Sequence, residues 1–386
     1  MSAMSGGAPI TDCTLDLLQG TTVVEFGDDL AGSIAAYHLA MLGATVYLLE
    51  PTNGCWLRRV SDGTTASAPG PLFACFARGK RSVALEQALA APGAAWGSID
   101  LIIEPTARDS IERLSNVCKP AAGAADGPLA LSFAEDDGIR YTELAAQAAF
   151  GMSTYLGQQG EPPFRVGFEM VTYSAAVLGV QAVLAALLLK QTHGLGQRLR
   201  VPFSRVMANI LNNVMTASVE PDQEAGFSRG WASAPYYGVV CADGELEILF
   251  YGPGADQGWQ RFCAGIGAPE IAFNPRFATY AARTQYSGEL RAALQPALSQ
   301  LARQPLLELL WRCGAMAVPR WRPDEAAASE QAHANDMILP KSTVDEFQLL
   351  ASPWEVDGKR ASLRSLPTLA GDTAAFCADF RARGQA

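Results

Sequence analysis

"TTVVEFGDDLAGSIAAYHLAMLGATVYLLEP", residues 21–51, is the stretch whose reading decides the fold. "TTVVEFG" (21–27) reads as a buried strand. "LAGSIAAYHLAML" (30–42) has the apolar spacing of a helix and stops at Gly43. "ATVYLLE" (44–50) is a second buried strand, ended by Pro51. Further short apolar runs follow at 82–86, 98–104 and 128–134, with helical pieces between several of them. Strand–helix–strand alternation of this kind predicts a mostly parallel sheet covered on both faces. The first strand–helix connection then lies at the carboxyl end of the sheet, where ligands bind in open α/β folds.

That connection, "GDDLAG" (27–32), is neither the G-x-G-x-x-G dinucleotide turn nor a phosphate-binding P-loop. Glu50 ends the second strand, where dinucleotide enzymes place a ribose ligand, but the missing glycine fingerprint counts against that role. His38, His193 and His333 form no motif; His38 falls inside the first helix and reads as a packed residue, His193 as a helix C-terminal residue. The eight cysteines are scattered with no C-x-x-C pair, which predicts reduced thiols and no metal site. The N-terminal "MSAMSGGAPITDC" lacks the pattern of a signal peptide, so a cytoplasmic location is expected.

At 386 residues the chain exceeds the size of one growing core, which predicts two domains. It is 49% hydrophobic with a net charge of −10, so no overall basic field is available for a nucleic-acid backbone. Basic clusters at Arg58-Arg59, Lys80-Arg81 and Lys190 to Arg200 have the charge to hold a small polyanion, or form solvated faces. The segment "VGFEMVTYSAAVLGVQAVLAALLLKQTHGLGQRLRVPF" from Val166 has the length to cross a bilayer. Its Thr172, Ser174, Gly179 and Gln181 and its many alanines favour a core helix instead. From about Arg229 the pattern changes: "YYGVVCADGELEILFYG" reads as a hairpin turning at Asp243-Gly244, followed by helices. Beyond Asp336 the chain is expected to return across the first domain.

Four segments in order resemble the family III CoA-transferases, the CaiB/BaiF family. "LAGSIAAYHLAMLGATVYLLEP" looks like the family's Ala-Gly, helix, strand and Glu-Pro run; "ARGKRSVALE" is similar to its Lys-Arg-Ser segment. "GLGQRLRVPF" resembles its Gly-x-Gly-Gln stretch and "NPRFATYAAR" its Asp-Pro-Arg-Phe…Arg pattern. The resemblance implies an α/β architecture: a Rossmann-like large domain, residues 1–215 completed by 340–386, with a parallel sheet built from both chain ends. A small α+β domain spans 216–339. It implies an interlocked dimer, with itself or a homologous subunit, and coenzyme A or an acyl-CoA as substrate. The usual reaction moves CoA from an acyl-CoA to a carboxylate through an attacking aspartate, because both acyl derivatives of that carboxylate stay reactive. By the family pattern Lys80, Arg81, Arg113 and Arg140 lie near CoA, where their charged donors suit phosphate oxygens.

The chain departs from the pattern where the chemistry should be. The family's attacking aspartate closes Gly-x-x-x-x-Asp, which here reads Gly167 to Thr172. Glu169 is three residues early. "RYTELAAQA" resembles the Asp-x-x-x-Gln-Ala element, with Glu143 and Gln147 at its polar positions and Thr142 where related racemases carry histidine. The Glu-Asn-Phe segment reads Glu104, Pro105, Thr106. Three readings follow: a nucleophile-poor subunit of a heteromeric CoA-transferase, a self-sufficient transferase or lyase using Glu169 or Glu143, and a non-catalytic CoA-ester binder. Phe150, Tyr173, Trp231 and Tyr236 are candidate pocket aromatics or core residues.

Overall fold

A computed structural model describes residues 15–59, 70–90, 96, 98–105, 108–117, 127–135, 141–155, 162–212, 239–338, 350–361 and 365–383. The chain forms two compact units: residues 1–153, 165–212 and 336–386, and residues 154–164 with 213–335.

The first unit is organised on six strands: β1 (Thr22–Glu25), β2 (Thr45–Glu50), β3 (Lys80–Ala84), β4 (Leu101–Ile103), β5 (Leu129–Ser132) and β6 (Arg198–Arg200). Their order is β3-β2-β1-β4-β5-β6, and every pairing is parallel. The strand order reverses between β1 and β4, which makes their carboxyl ends the switch point of the sheet. Gly27 turns the chain there at φ 61°; a Cβ would stand 2.6 Å from Leu48 Cδ1, so the turn requires glycine. Asp29 then caps helix α1 (Leu30–Met41), its Oδ1 accepting from Gly32 N at 3.0 Å.

Helix α1 is buried on nearly every side, as its uniformly apolar sequence requires. Further helices of this unit include α2 (Arg108–Val117), α3 (Glu143–Ala149), α4 (Met170–His193) and α5 (Phe203–Ile210), with a C-terminal helix at Thr373–Arg383. Helix α4 packs along α1 and over β5. Gly179 allows the approach: a Cβ there would meet the Phe133 ring at 3.2 Å and Leu131 at 3.3 Å. Val24, Tyr47, Leu49, Val83 and Ile102 form a second layer with Trp96, Leu114 of α2 and Phe376 of the C-terminal helix. All six strands lie within residues 22–200; the C-terminal end completes the unit with a covering segment and a helix.

Several boundaries differ from the sequence reading. β3 starts at Lys80, and Leu85–Leu89 is helical because Leu85 and Ala88, three apart, both enter the core. The strand expected at 98–104 is confined to Leu101–Ile103.

The second unit has an antiparallel sheet of β7 (Val239–Cys241), β8 (Gly244–Leu249) and β9 (Met316–Pro319). Its helices include α6 (Ala255–Gly265), α7 (Ser287–Leu298) and α8 (Arg303–Arg312). The hairpin turns at Ala242-Asp243, one residue earlier than the Asp243-Gly244 expected, since Cys241 pairs with Gly244. Asp243 also supports the start of α8, where its Oδ1 accepts from Arg303 N at 2.6 Å. Leu246, Phe250, Trp259, Phe262, Leu290, Leu294 and Leu310 fill the core. Arg283, the last residue of "NPRFATYAAR", is fully buried over the Trp259 ring and donates to Asp256 at 2.8 Å.

Candidate functional site

A helix start leaves its first N–H groups without intrahelical partners. At α4 the N-cap residue Glu169 makes no capping bond. Glu143, the first residue of α3, supplies the acceptor from the side. Its Oε1 accepts from Val171 N at 3.1 Å and its Oε2 from Thr172 N at 2.9 Å. Thr172 Oγ1 donates to the same Oε2 at 2.8 Å. Gln147, one turn further along α3, donates Nε2 to Oε1 at 2.6 Å and accepts from Val166 N through its own Oε1 at 2.8 Å. Local sequence sets this up, because Thr142 caps α3 through Ala145 N and so fixes where Glu143 begins.

Each Glu143 oxygen therefore accepts two hydrogen bonds, which fills its in-plane lone pairs. Glu143, Gln147 and Thr172 are all buried. Two of the three residues expected at the reaction centre, Thr172 and Glu143, are brought together with Gln147, and their geometry is that of a polar clip at a helix end. Glu169 stands apart from it. Its carboxylate is 42% exposed, accepts from Arg165 Nη2 at 2.6 Å, and adjoins the exposed Phe168.

One residue beyond Thr172, Tyr173 meets His38 of α1 edge to face at 5.8 Å, and Trp354 meets the same imidazole at 4.9 Å. His38 is buried, and neither ring nitrogen has a hydrogen-bond partner among the described residues. Burial, with help from the Lys80 charge, lowers its pKa to about 4. Phe150 packs edge to face on Tyr141 at 5.5 Å. Trp231, Tyr236 and Arg140 lie outside the described residues.

The basic residues are scattered along the sheet. Arg113 of α2 pairs with the exposed Glu86, just past the carboxyl end of β3. Lys80 lies at the amino end of β3, opposite Val46. Its ammonium is buried, donating to Glu25 Oε2 at 2.6 Å and Ser33 O at 2.9 Å. Arg81 is exposed, with its guanidinium 5.8 Å from the centre of the Tyr47 ring.

Glu50 is also engaged internally: it accepts from Arg58 Nε and Nη2 at 2.9 and 2.8 Å, Ser82 Oγ at 2.7 Å and Cys55 N at 3.0 Å. Burial pushes its carboxyl up, but the bonds from Arg58, Ser82 and Cys55 outweigh burial and hold it below the usual range. No ribose contact is open to it. Sequence reasoning missed this knot and the Lys80–Glu25 pair; neither has a spacing signal. Among the described residues no group of three or more His, Cys, Asp or Glu is placed to hold a metal. Helix α4 is long and apolar enough to cross a membrane, and 44% of its most apolar stretch is buried in the protein.

Residues 18–92 and 137–373 match the family described as CoA-transferase family III. The chain is 26% identical to a probable fatty acyl-CoA transferase of Mycobacterium tuberculosis, over 92% of this chain and 95% of that protein. It is 24% identical to formyl-CoA:oxalate CoA-transferase of Streptomyces coelicolor, over 92% and 93%. To succinate–glutarate CoA-transferase of Agrobacterium fabrum it is 27% identical, over 78% of each chain. A CaiB/BaiF family protein of Brucella suis shares the fold at TM-score 0.79 and 22% identity, covering 94% of this chain and 99% of that one. With a match covering most of its length, the chain belongs to CoA-transferase family III.

Proposed function

We propose that the protein takes part in CoA transfer between an acyl-CoA thioester and a carboxylic acid as the nucleophile-poor member of a pair of homologous chains. The observation that carries this reading is the clip at the start of α4. The position of the family aspartate is Thr172, whose hydroxyl is tied to Glu143, and Glu143 has no lone pair left for a thioester carbonyl. A threonine ester would also be too stable to pass its acyl group onward easily. The chain then supplies scaffold and part of a substrate pocket, in a cytoplasmic complex. A partner of the same family, with aspartate at the matching position, supplies the attack. Arg113, which pairs with Glu86 beside the carboxyl edge of the sheet, is the basic residue this reading assigns to a CoA phosphate. Arg140 carries the same proposed role from sequence alone.

Affinity isolation from the native cell tests this. A homologous chain with aspartate at that position should be recovered, and the pair should exchange CoA where neither chain does alone. Full activity of this chain by itself would overturn the reading.

One observation favours a second reading, in which the chain is self-sufficient: Glu169 is an exposed carboxylate at the mouth of the same helix, held among the described residues by Arg165. Hydroxylamine trapping during turnover, followed by peptide mapping, should then label Glu169.

A further inference from the structure

The closing segment Ser365–Asp372 runs beside β3 and leaves a cavity of about 390 Å³ against the amino end of that strand. Its walls include Gly79, Lys80, Arg81, Ser365, Thr368 and Asp372. Gly79 N donates to Ser365 O at 3.4 Å and Ser82 N donates to Asp372 Oδ2 at 3.0 Å. Ala370 N donates to Ser82 Oγ at 2.8 Å, and Ala84 N to Thr373 Oγ1 at 2.9 Å. The ends of the segment are thus fastened, and the cavity is part of a built edge.

Three groups in it point to a ligand. Arg81 is exposed; its guanidinium lies against the Tyr47 ring and also hydrogen-bonds the Tyr47 hydroxyl, which donates to Asp379 at 3.2 Å, so part of its donor set remains for a ligand. The side-chain hydroxyls of Ser365 and Thr368, both exposed, make no hydrogen bond to any described residue. Lys80 lines the cavity, but its ammonium is spent on Glu25. The carboxylate in the wall, Asp372, is already bound to the Ser82 N–H. A guanidinium and two hydroxyl donors lining one cavity are the donor set that the oxygens of a tetrahedral oxyanion take.

We propose that the Arg81 cavity is an oxyanion site of the phosphate class, which fastens the closing segment to β3. It lies at the amino end of β3, whereas ligands of the open α/β sheet gather at the carboxyl end, so its existence does not rest on the proposed reaction. The same chemistry could come from inorganic phosphate or from a phosphate of CoA. An anion that bridges Arg81 to Ser365 and Thr368 binds the folded chain and not the unfolded one, so it raises the melting temperature by mass action.

The test is thermal unfolding of the full chain at constant ionic strength, with chloride replaced by inorganic phosphate. The wild type should show a saturable rise of about 1–3 °C in the millimolar range. Arg81→Gln, and separately the double variant Ser365→Ala/Thr368→Ala, should melt normally in chloride and lose the rise. CoA and dephospho-CoA identify the source. A CoA shift lost in Arg81→Gln and absent with dephospho-CoA assigns the cavity to the CoA 3′-phosphate. A CoA shift that survives in Arg81→Gln leaves it to free phosphate. No phosphate shift in the wild type, or an equal one in Arg81→Gln, overturns the proposal. None of these readouts depends on a partner chain or on turnover.

Discussion

Thr172 Oγ1 donates to Glu143 Oε2 at 2.8 Å, while the Thr172 backbone N–H donates to the same oxygen at 2.9 Å. One carboxylate oxygen thus holds both the side chain and the main chain of the residue at the family's aspartate position. The acid that remains at this centre serves as a cap for α4, delivered from a neighbouring helix.

Removing that acid should cost stability. Glu143→Ala leaves two buried N–H groups, a hydroxyl and the Gln147 amide without their acceptor. The expected loss is about 3–5 kcal/mol in urea unfolding. Thr172→Val removes one hydroxyl bond and should cost about 1–2 kcal/mol. A double-mutant cycle should show clear coupling between the two positions; simple additivity would mean the clip is not a unit.

Restoring the family residue places a second carboxylate against Glu143. In Thr172→Asp the pair should share a proton, so its folded pKa rises above the unfolded value. Stability from that shared proton is present below the usual carboxylate range and is lost as pH rises through the raised pKa. The variant should therefore be weaker than wild type at pH about 7 and recover towards pH about 4–5. A flat difference across this window would contradict the geometry.

Lys80 is expected to act on folding. Lys80→Met leaves Glu25 as a buried, uncompensated carboxylate, with an expected cost of about 3–5 kcal/mol. The paired replacement Lys80→Met/Glu25→Leu should recover most of it. A Lys80→Met protein that unfolds like wild type but binds CoA weakly would show the ammonium serving the ligand instead.

His38 should impose an acid-side slope on stability. Burial, then the Lys80 charge, puts its pKa at about 4, below the ordinary 6.5. Below pH 6.5 the unfolded chain binds the extra proton, so stability falls as pH drops towards about 4 and then levels. The contribution is on the order of 3 kcal/mol. His38→Leu should flatten this part of the urea-unfolding profile. Because neither ring nitrogen has a hydrogen-bond partner among the described residues, it should also leave the neutral-pH stability intact or improved.

Glu50 works on the same side of the pH scale. Its carboxyl is held low, so its stabilisation is present at neutral pH and is lost as pH falls through and below the usual carboxylate range. Arg58 also donates to Pro367 O of the closing segment at 3.2 Å. Arg58→Gln should therefore speed hydrogen exchange at the Ser82 amide, which donates to Asp372 of the closing segment, and at the Ala84 amide, which donates to Thr373 just after it. Unchanged exchange there would separate the knot from the segment.

The sequence by itself determined the strand–helix–strand opening, the end of α1 near Gly43, the apolar helix from Met170 and the family. It did so because burial imposes a repeat on neighbouring residues, and because the four matching segments are each continuous in the chain. The absence of aspartate at 172 was equally plain. Only the tertiary structure decided what the remaining polar groups do. Glu143 reaches a helix start 29 positions away, Lys80 finds Glu25 across 55, and Ser82 meets Asp372 across 290. Such partners leave no periodic trace, since a buried charge needs only one well-placed counterpart, and the chain can deliver it from any distance.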